Sequence, residues 1–172
     1  MTNIYTTQGT PEFMEKIKEK YANESMILMH GNGTAMLLHE TEGKTVFQTP
    51  HRYEVIAESG QLHPHGFFAM NNVSITDEGK PIFENRLKKN HEAMIGTPGF
   101  LAFRLLRPIG SDTYVVLTEW EDNKSFDLNK NSPAFAEAYA TSRTDILAGP
   151  TVHLFTSAPY ITVFTSLHNE EQ

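Results

Sequence analysis

At 172 residues with 39% hydrophobic side chains, the chain has enough length and apolar content for one packed domain or two small ones. A formal charge of −7 and an isoelectric point near 5.6 give no basic field for a nucleic-acid backbone, and the absence of cysteine removes disulfides, zinc fingers and thiolate chemistry. No stretch approaches the ~18 consecutive apolar residues of a membrane span, and MTNIYTTQG carries no leader pattern, so the expectation is a cytoplasmic protein without membrane or nucleic-acid partners.

In chain order, Ile4 to Thr7 read as a short strand, and Thr10 before Pro11 opens a helix with an N-cap and a first-turn proline. Phe13, Ile17 and Tyr21 recur every four residues among Glu15, Lys16, Glu19 and Lys20, which predicts one apolar and one solvated helix face. Met26 to Met29 and Ala35 to His39 form a hairpin around Gly31, Asn32 and Gly33. Glu42 and Gly43 turn the chain, Val46 and Phe47 make an apolar patch, and Tyr53 to Ala57 fit a short helix or a strand equally well. Gln61 to Gly66 read as a linker, and Phe67 to Thr76 as the next strand. Gly79, Lys80 and Pro81 open a helix reaching about Asn90.

The stretch from Gly96 to Trp120 carries two aromatic and β-branched runs, Phe100 to Leu106 and Thr113 to Thr118, split by Pro108, Gly110, Ser111 and Asp112. Both alternating faces of the first run are mostly apolar, so this hairpin is expected to be covered on both sides. A helix starting at Ser132 and Pro133 follows, and a last strand runs from Tyr160 to Leu167.

The pattern G-x-P-x-F-x-x-x-[IL]-K occurs at Gly9 to Lys18 and again at Gly79 to Lys88, 70 residues on. Thr34, Leu38, Glu40 and Phe47 are matched by Thr113, Leu117, Glu119 and Phe126 at an offset of 79. The order of strand, helix and hairpin is the same both times, which reads as a duplicated unit. The expected fold is therefore α+β, with two ferredoxin-like halves facing each other as one barrel. Residues 1–65 would form an N-terminal, degenerate copy and residues 66–172 the second domain.

The second half, with Asn71 and Asn72 ahead of V-S-I-T, then P-G-F, L-R-P, T-Y-V-V-L-T-E-W and N-S-P-A-F-A-E-A-Y, resembles the antibiotic biosynthesis monooxygenase (ABM) domain. Within that superfamily it resembles the IsdG-type haem-degrading monooxygenases. The whole chain, with T-Q-G-T at Thr7 to Thr10 and H-E-T-x-G-x-T-V-F-Q-x-P at His39 to Pro50, is most similar to their two-domain, HmoB-type members and more distantly to TRAP-type proteins. The resemblance implies haem as cofactor and substrate, and an external reductant. Its functional Asn falls on Asn71, with Asn72 the alternative if the register slips. The positions of its Trp and its iron-ligating His fall on Asn129 and Tyr139, so two of three functional positions depart.

Tyr139 lies four residues after Phe135, placing both on one helix face. A phenolate there can ligate ferric haem, and a core tyrosine bonded to a backbone carbonyl is the other reading. Asn71 can donate a hydrogen bond to developing negative charge on an oxygen, or satisfy a neighbouring loop. Arg104, the one charge in an apolar strand, is expected to snorkel to the barrel rim rather than meet a propionate. His63 and His65 are expected in a solvated loop. Three functions stay in view: haem degradation, a non-catalytic TRAP-like stress or interaction protein, and a cofactor-independent ABM oxygenase. A monomer is the natural state if the first half replaces a second subunit, and a homodimer otherwise.

Overall fold

Strands that are apolar on both faces need cover on both sides, and here a sheet closed on itself provides half of it. The computed structural model describes residues 2–130, 156–157 and 159–166. The elements are β1 (Asn3–Gly9), α1 (Pro11–Lys20), β2 (Met26–Gly31), β3 (Thr34–Thr41), β4 (His51–Ser59), β5 (Phe67–Ser74), α2 (Gly79–Asn90), a 3₁₀ turn (His91–Met94), β6 (Phe100–Ile109), β7 (Thr113–Trp120), α3 (Asn123–Asn129) and β8 (Tyr160–Thr165). All eight strands pair antiparallel in the closed order β1-β3-β2-β8-β5-β7-β6-β4. This is an α+β, ferredoxin-like architecture. Among the described residues no helix is long and apolar enough to cross a membrane.

The pairing repeats. β1 with β3, β2 with β3, β1 with β4 and β4 with β6 are matched by β5 with β7, β6 with β7, β5 with β8 and β8 with β2. Advancing β3 onto β7 by the 79 residues between Thr34 and Thr113 carries Leu37 onto Val116. Their partners on β1 and β5, Thr7 and Asn71, are thereby superposed as well.

Alternation then sorts the side chains. Ile4, Met29, Leu38, Phe68, Leu106 and Leu117 fill the barrel. Outside it, Phe83 and Leu87 of α2 and Phe126 of α3 cover Ala69, Phe103, Val116 and Trp120. On the opposite outer face, Met14 of α1 and Phe47 cover Tyr5, Met26 and Leu37.

Several readings are sharpened or changed. The 53–57 segment, open between helix and strand, lies in β4, because Tyr53 and Val55 alternate into the barrel and the strand bridges β1 and β6. The anchor of α1 is Met14, with Ile17 and Tyr21 packed beside it, while Phe13 is 58% exposed. The buried stripe thus follows i, i+3, i+7 rather than a strict four-residue step. The α3 helix, missed in the sequence, starts where the Asp122 side chain accepts the Ser125 N–H at 2.8 Å. The helix expected from Ser132 lies outside the described residues.

Arg104 does not reach the rim. It is 4% exposed and points into the barrel, where Nε donates to Glu40 at 2.8 Å. Its Nη1 donates to the carbonyls of Phe103, Gly60 and Ser59 at 2.8, 2.9 and 3.3 Å. A guanidinium with so many fixed acceptors has no need of solvent. Glu119 lies beside it and accepts the His63 N–H at 2.8 Å, so the 60–66 linker caps this end of the barrel. The other end opens into a cavity of about 330 Å³ that reaches Tyr53, Met70, Asn72 and Thr162.

The hairpin turn at Asn32 and Gly33, with φ of 55° and 77°, is the left-handed pair a two-residue hairpin needs. Gly31 beside it serves a different purpose. A Cβ there would sit 2.4 Å from the Val163 carbonyl oxygen, at the seam where His30 of β2 meets Thr165 of β8. Gly31→Ala is expected to cost about 1–3 kcal/mol by forcing this seam apart. Urea unfolding measures the loss, and amide exchange should accelerate first along β8.

Candidate functional site

The outer face of β8, β5, β7, β6 and β4 carries one row formed by Ile161, Asn71, Val116, Leu105 and Ala57. Asn71 is the single polar side chain in that row, and it is only 7% exposed. Its side chain makes no hydrogen bond with other described residues. Asn72 faces the opposite way, into the barrel mouth, and its Nδ2 donates to the Met70 carbonyl at 3.1 Å and to the Tyr160 carbonyl and Thr162 hydroxyl at 3.3 Å. The two adjacent asparagines therefore serve different compartments.

The next row along contains Ala69, Thr118, Phe103 and Ser59. Trp120 Nε1 donates to the Thr118 hydroxyl at 2.9 Å, which fixes the indole against Phe126 and Phe100. His91 stacks flat on Phe103, ring centroids 4.8 Å apart, and its Nδ1 lies 2.8 Å from the Ser59 hydroxyl. Burial holds this imidazole below the usual histidine range, favouring its neutral form. His91 had no legible partner in the sequence, because Ser59 lies 32 positions away.

On the other side of the Asn71 row, Arg107 clamps α2 to the sheet. Its Nη2 and Nε donate to the two Glu84 oxygens at 2.7 and 2.9 Å, and Nη1 donates to Glu54 at 2.8 Å. The Tyr114 hydroxyl donates to Glu84 as well. The Arg107 hydrogen bonds hold the Glu84 carboxyl below its ordinary range, while burial first and Glu84 second raise the Tyr114 phenol. This polar cluster sets the position of one helical wall over the face.

Asn129 ends α3, where its Nδ2 donates to the Ser125 carbonyl at 2.8 Å and the Pro98 carbonyl at 3.4 Å. It ties the helix end to the loop before β6. Phe135 and Tyr139 lie outside the described residues. His65 Nδ1 donates to the Ser166 carbonyl at 2.9 Å, and the His63 backbone is held by Glu119. No group of three His, Asp or Glu side chains able to hold a metal occurs among the described residues.

The face is thus a broad apolar platform with one amide at its centre and a neutral imidazole at its side. Exposed Ile161 and Val163 extend it along β8, at 46% and 37%. Val116 and Leu105 are fully buried in one cluster with Phe83 and Leu87 of α2 and Phe126 of α3, so the open part of this face is its β8 edge, where Ile161 and Val163 stand exposed beside Asn71.

Comparison with known proteins places the β5, β6 and β7 part of this face, with Asn71, within a family match. Residues 66–141 match the profile of the family described as antibiotic biosynthesis monooxygenase. The signal transduction protein TRAP of Staphylococcus aureus strain USA300 is 29% identical over 140 residues, 81% of this chain and 84% of that protein. A solved structure of a major regulator of staphylococcal pathogenesis superposes with a TM-score of 0.83 at 25% identity, covering 97% of this chain and 100% of its own. The heme-degrading enzyme LmHde of Listeria monocytogenes superposes with a TM-score of 0.72 at 19% identity, covering 95% and 98%, a likeness of fold. The chain therefore has the α+β, ferredoxin-like fold of the antibiotic biosynthesis monooxygenase superfamily, with residues 66–141 carrying the match to that family.

Proposed function

We propose that the protein binds haem as its substrate on the outer face of the second half and degrades it slowly with dioxygen and an external electron donor. The observation that carries this reading is the lone, nearly buried Asn71 amide in a row of Ile161, Val116, Leu105 and Ala57. The fold likeness to LmHde supports it. The platform would hold the macrocycle, and Asn71 would donate to charge developing on oxygen beside it. Haem supplies its own iron for the redox chemistry. Tyr139, four residues after Phe135 in the sequence, is the proposed iron ligand, and Asn129 stands where the resemblance puts the family's tryptophan. The domains are proposed as 1–65 and 66–172, and the location as cytoplasmic. The first half supplies the four strands that close the barrel, so the expected state is a monomer.

Haemin titrated into the full chain is expected to give a stoichiometric Soret band that shifts in Tyr139→Phe. Ascorbate, with catalase present to remove free peroxide, should then bleach the band. Asn71→Leu should retain binding and slow the bleaching about 100-fold, the effect of losing one donor to developing charge. Weak haemin binding indifferent to both substitutions would overturn the reading.

A second reading rests on the TRAP relatives, which match four-fifths of the chain, and on the departures at Asn129 and Tyr139. Here the protein is a non-catalytic interaction protein whose platform is merely core. The same titration separates the two, since this reading expects no stoichiometric band. Turnover of an aromatic substrate without haem would instead point to a cofactor-independent oxygenase.

A further inference from the structure

The two halves differ in the length of chain between their third and fourth strands. In the second half 39 residues, 121–159, connect β7 to β8, whereas in the first half only nine, 42–50, connect β3 to β4. Nine residues supply little more than Val46 and Phe47, and a groove of about 310 Å³ remains between this segment and α1. Thr7 lines it, and Thr7 is the register equivalent of Asn71. The groove therefore occupies the place in the first half that the Asn71 face occupies in the second.

Its chemistry is asymmetric. Phe13, 58% exposed, together with Ile17, Tyr21 and Val46 gives it apolar walls. Lys16 and Lys20, one helical turn apart, stand along one side, and neither forms an ion pair among the described residues. The opposite flank of the helix is mostly acidic, with Glu15, Glu19 and Glu24 around a single Lys18. The Lys20 ammonium lies 5.3 Å from the centroid of the Tyr21 ring, so it stands at the apolar wall itself, and with Lys16 it gives the groove of an acidic chain a local field of the opposite sign.

We propose that this groove is a second binding site, specific for a small anionic amphiphile. The apolar chain of such a molecule lies against Phe13, Ile17 and Val46, and its carboxylate meets Lys16 and Lys20. The site is independent of haem binding on the other half, and neither claim rests on the other.

The test uses decanoate, decanol and decylammonium below their micellar concentrations, added to the full chain and followed by amide chemical shifts. Decanoate should bind saturably, with its largest shifts at Thr7, Lys16 and Val46, and more tightly than decanol. Decylammonium should bind weakest. Lys16→Gln with Lys20→Gln should weaken decanoate about fivefold to tenfold and leave decanol unchanged, the scale of two exposed ion pairs. Phe13→Ser should weaken both. All three side chains are exposed, so these variants fold. Equal affinity for decanoate and decylammonium, shifts centred on the barrel mouth or the Asn71 face, or no saturable binding would each overturn the proposal.

Discussion

Between pH 5 and pH 9, Glu119→Gln is expected to gain stability relative to the wild type by about 3–5 kcal/mol. Glu119 is fully buried, one carboxylate oxygen accepts the His63 N–H, and Oε2 has no hydrogen-bond partner among the described residues. Burial pushes its pKa up to about 8, against smaller lowering effects of the His63 N–H and of Arg104. In the unfolded chain the same group titrates near 4.5. The folded state therefore holds an extra proton between those values. Stability from this group is complete below pH 4.5, falls as pH rises, and is gone above pH 8. Each tenfold step corresponds to about 1.4 kcal/mol, and relaxation around the ionised carboxylate trims the total. Gln cannot ionise, so its curve lacks this slope. Urea unfolding at pH 5, 7 and 9 measures the gap between the two proteins, and a gap that stays constant across that range would remove Glu119 as the titrating group.

Local chemistry made most of the barrel legible. The Thr10 and Pro11 start, the Asn32 and Gly33 turn and the two-faced apolar hairpin at 100–120 each follow from one short stretch, and the repeat supplied the pairing of halves. What stayed hidden depends on partners distant in sequence. Arg104 looked like a rim residue because Glu40 lies 64 positions away and the carbonyls of Ser59 and Gly60 belong to a different strand end. Phe13 looked like core because period alone does not say which of two neighbouring stripes faces the sheet. Asn71 was singled out by a resemblance, and its isolation in an apolar row emerges only when five strands are placed side by side. Its chemistry remains the subject of the haemin experiment.

Arg104→Met is expected to be the most damaging single change at the capped end of the barrel, at about 3–5 kcal/mol. The substitution preserves much of the side-chain volume, so cavity formation is a minor part of the loss. The larger part is polar. Glu40, with only 26% of its side chain exposed, loses its cation, and the carbonyls of Phe103, Gly60 and Ser59 lose their shared donor. Glu58 stands 3.6 Å from the same Nε but is more than half exposed, so its loss weighs little. Adding Glu40→Leu should recover part of the stability by removing the stranded carboxylate, though the carbonyls stay unpaired. The charge of Arg104 also steadies Glu119, so without it the Glu119 carboxyl rises further. At pH 9, Glu119→Gln should then be worth more in the Arg104→Met background than in the wild type. A double-mutant cycle by urea unfolding at that pH reads the coupling directly. Effects that add to within about 0.5 kcal/mol would show that Arg104 and Glu119 are neighbours without being partners.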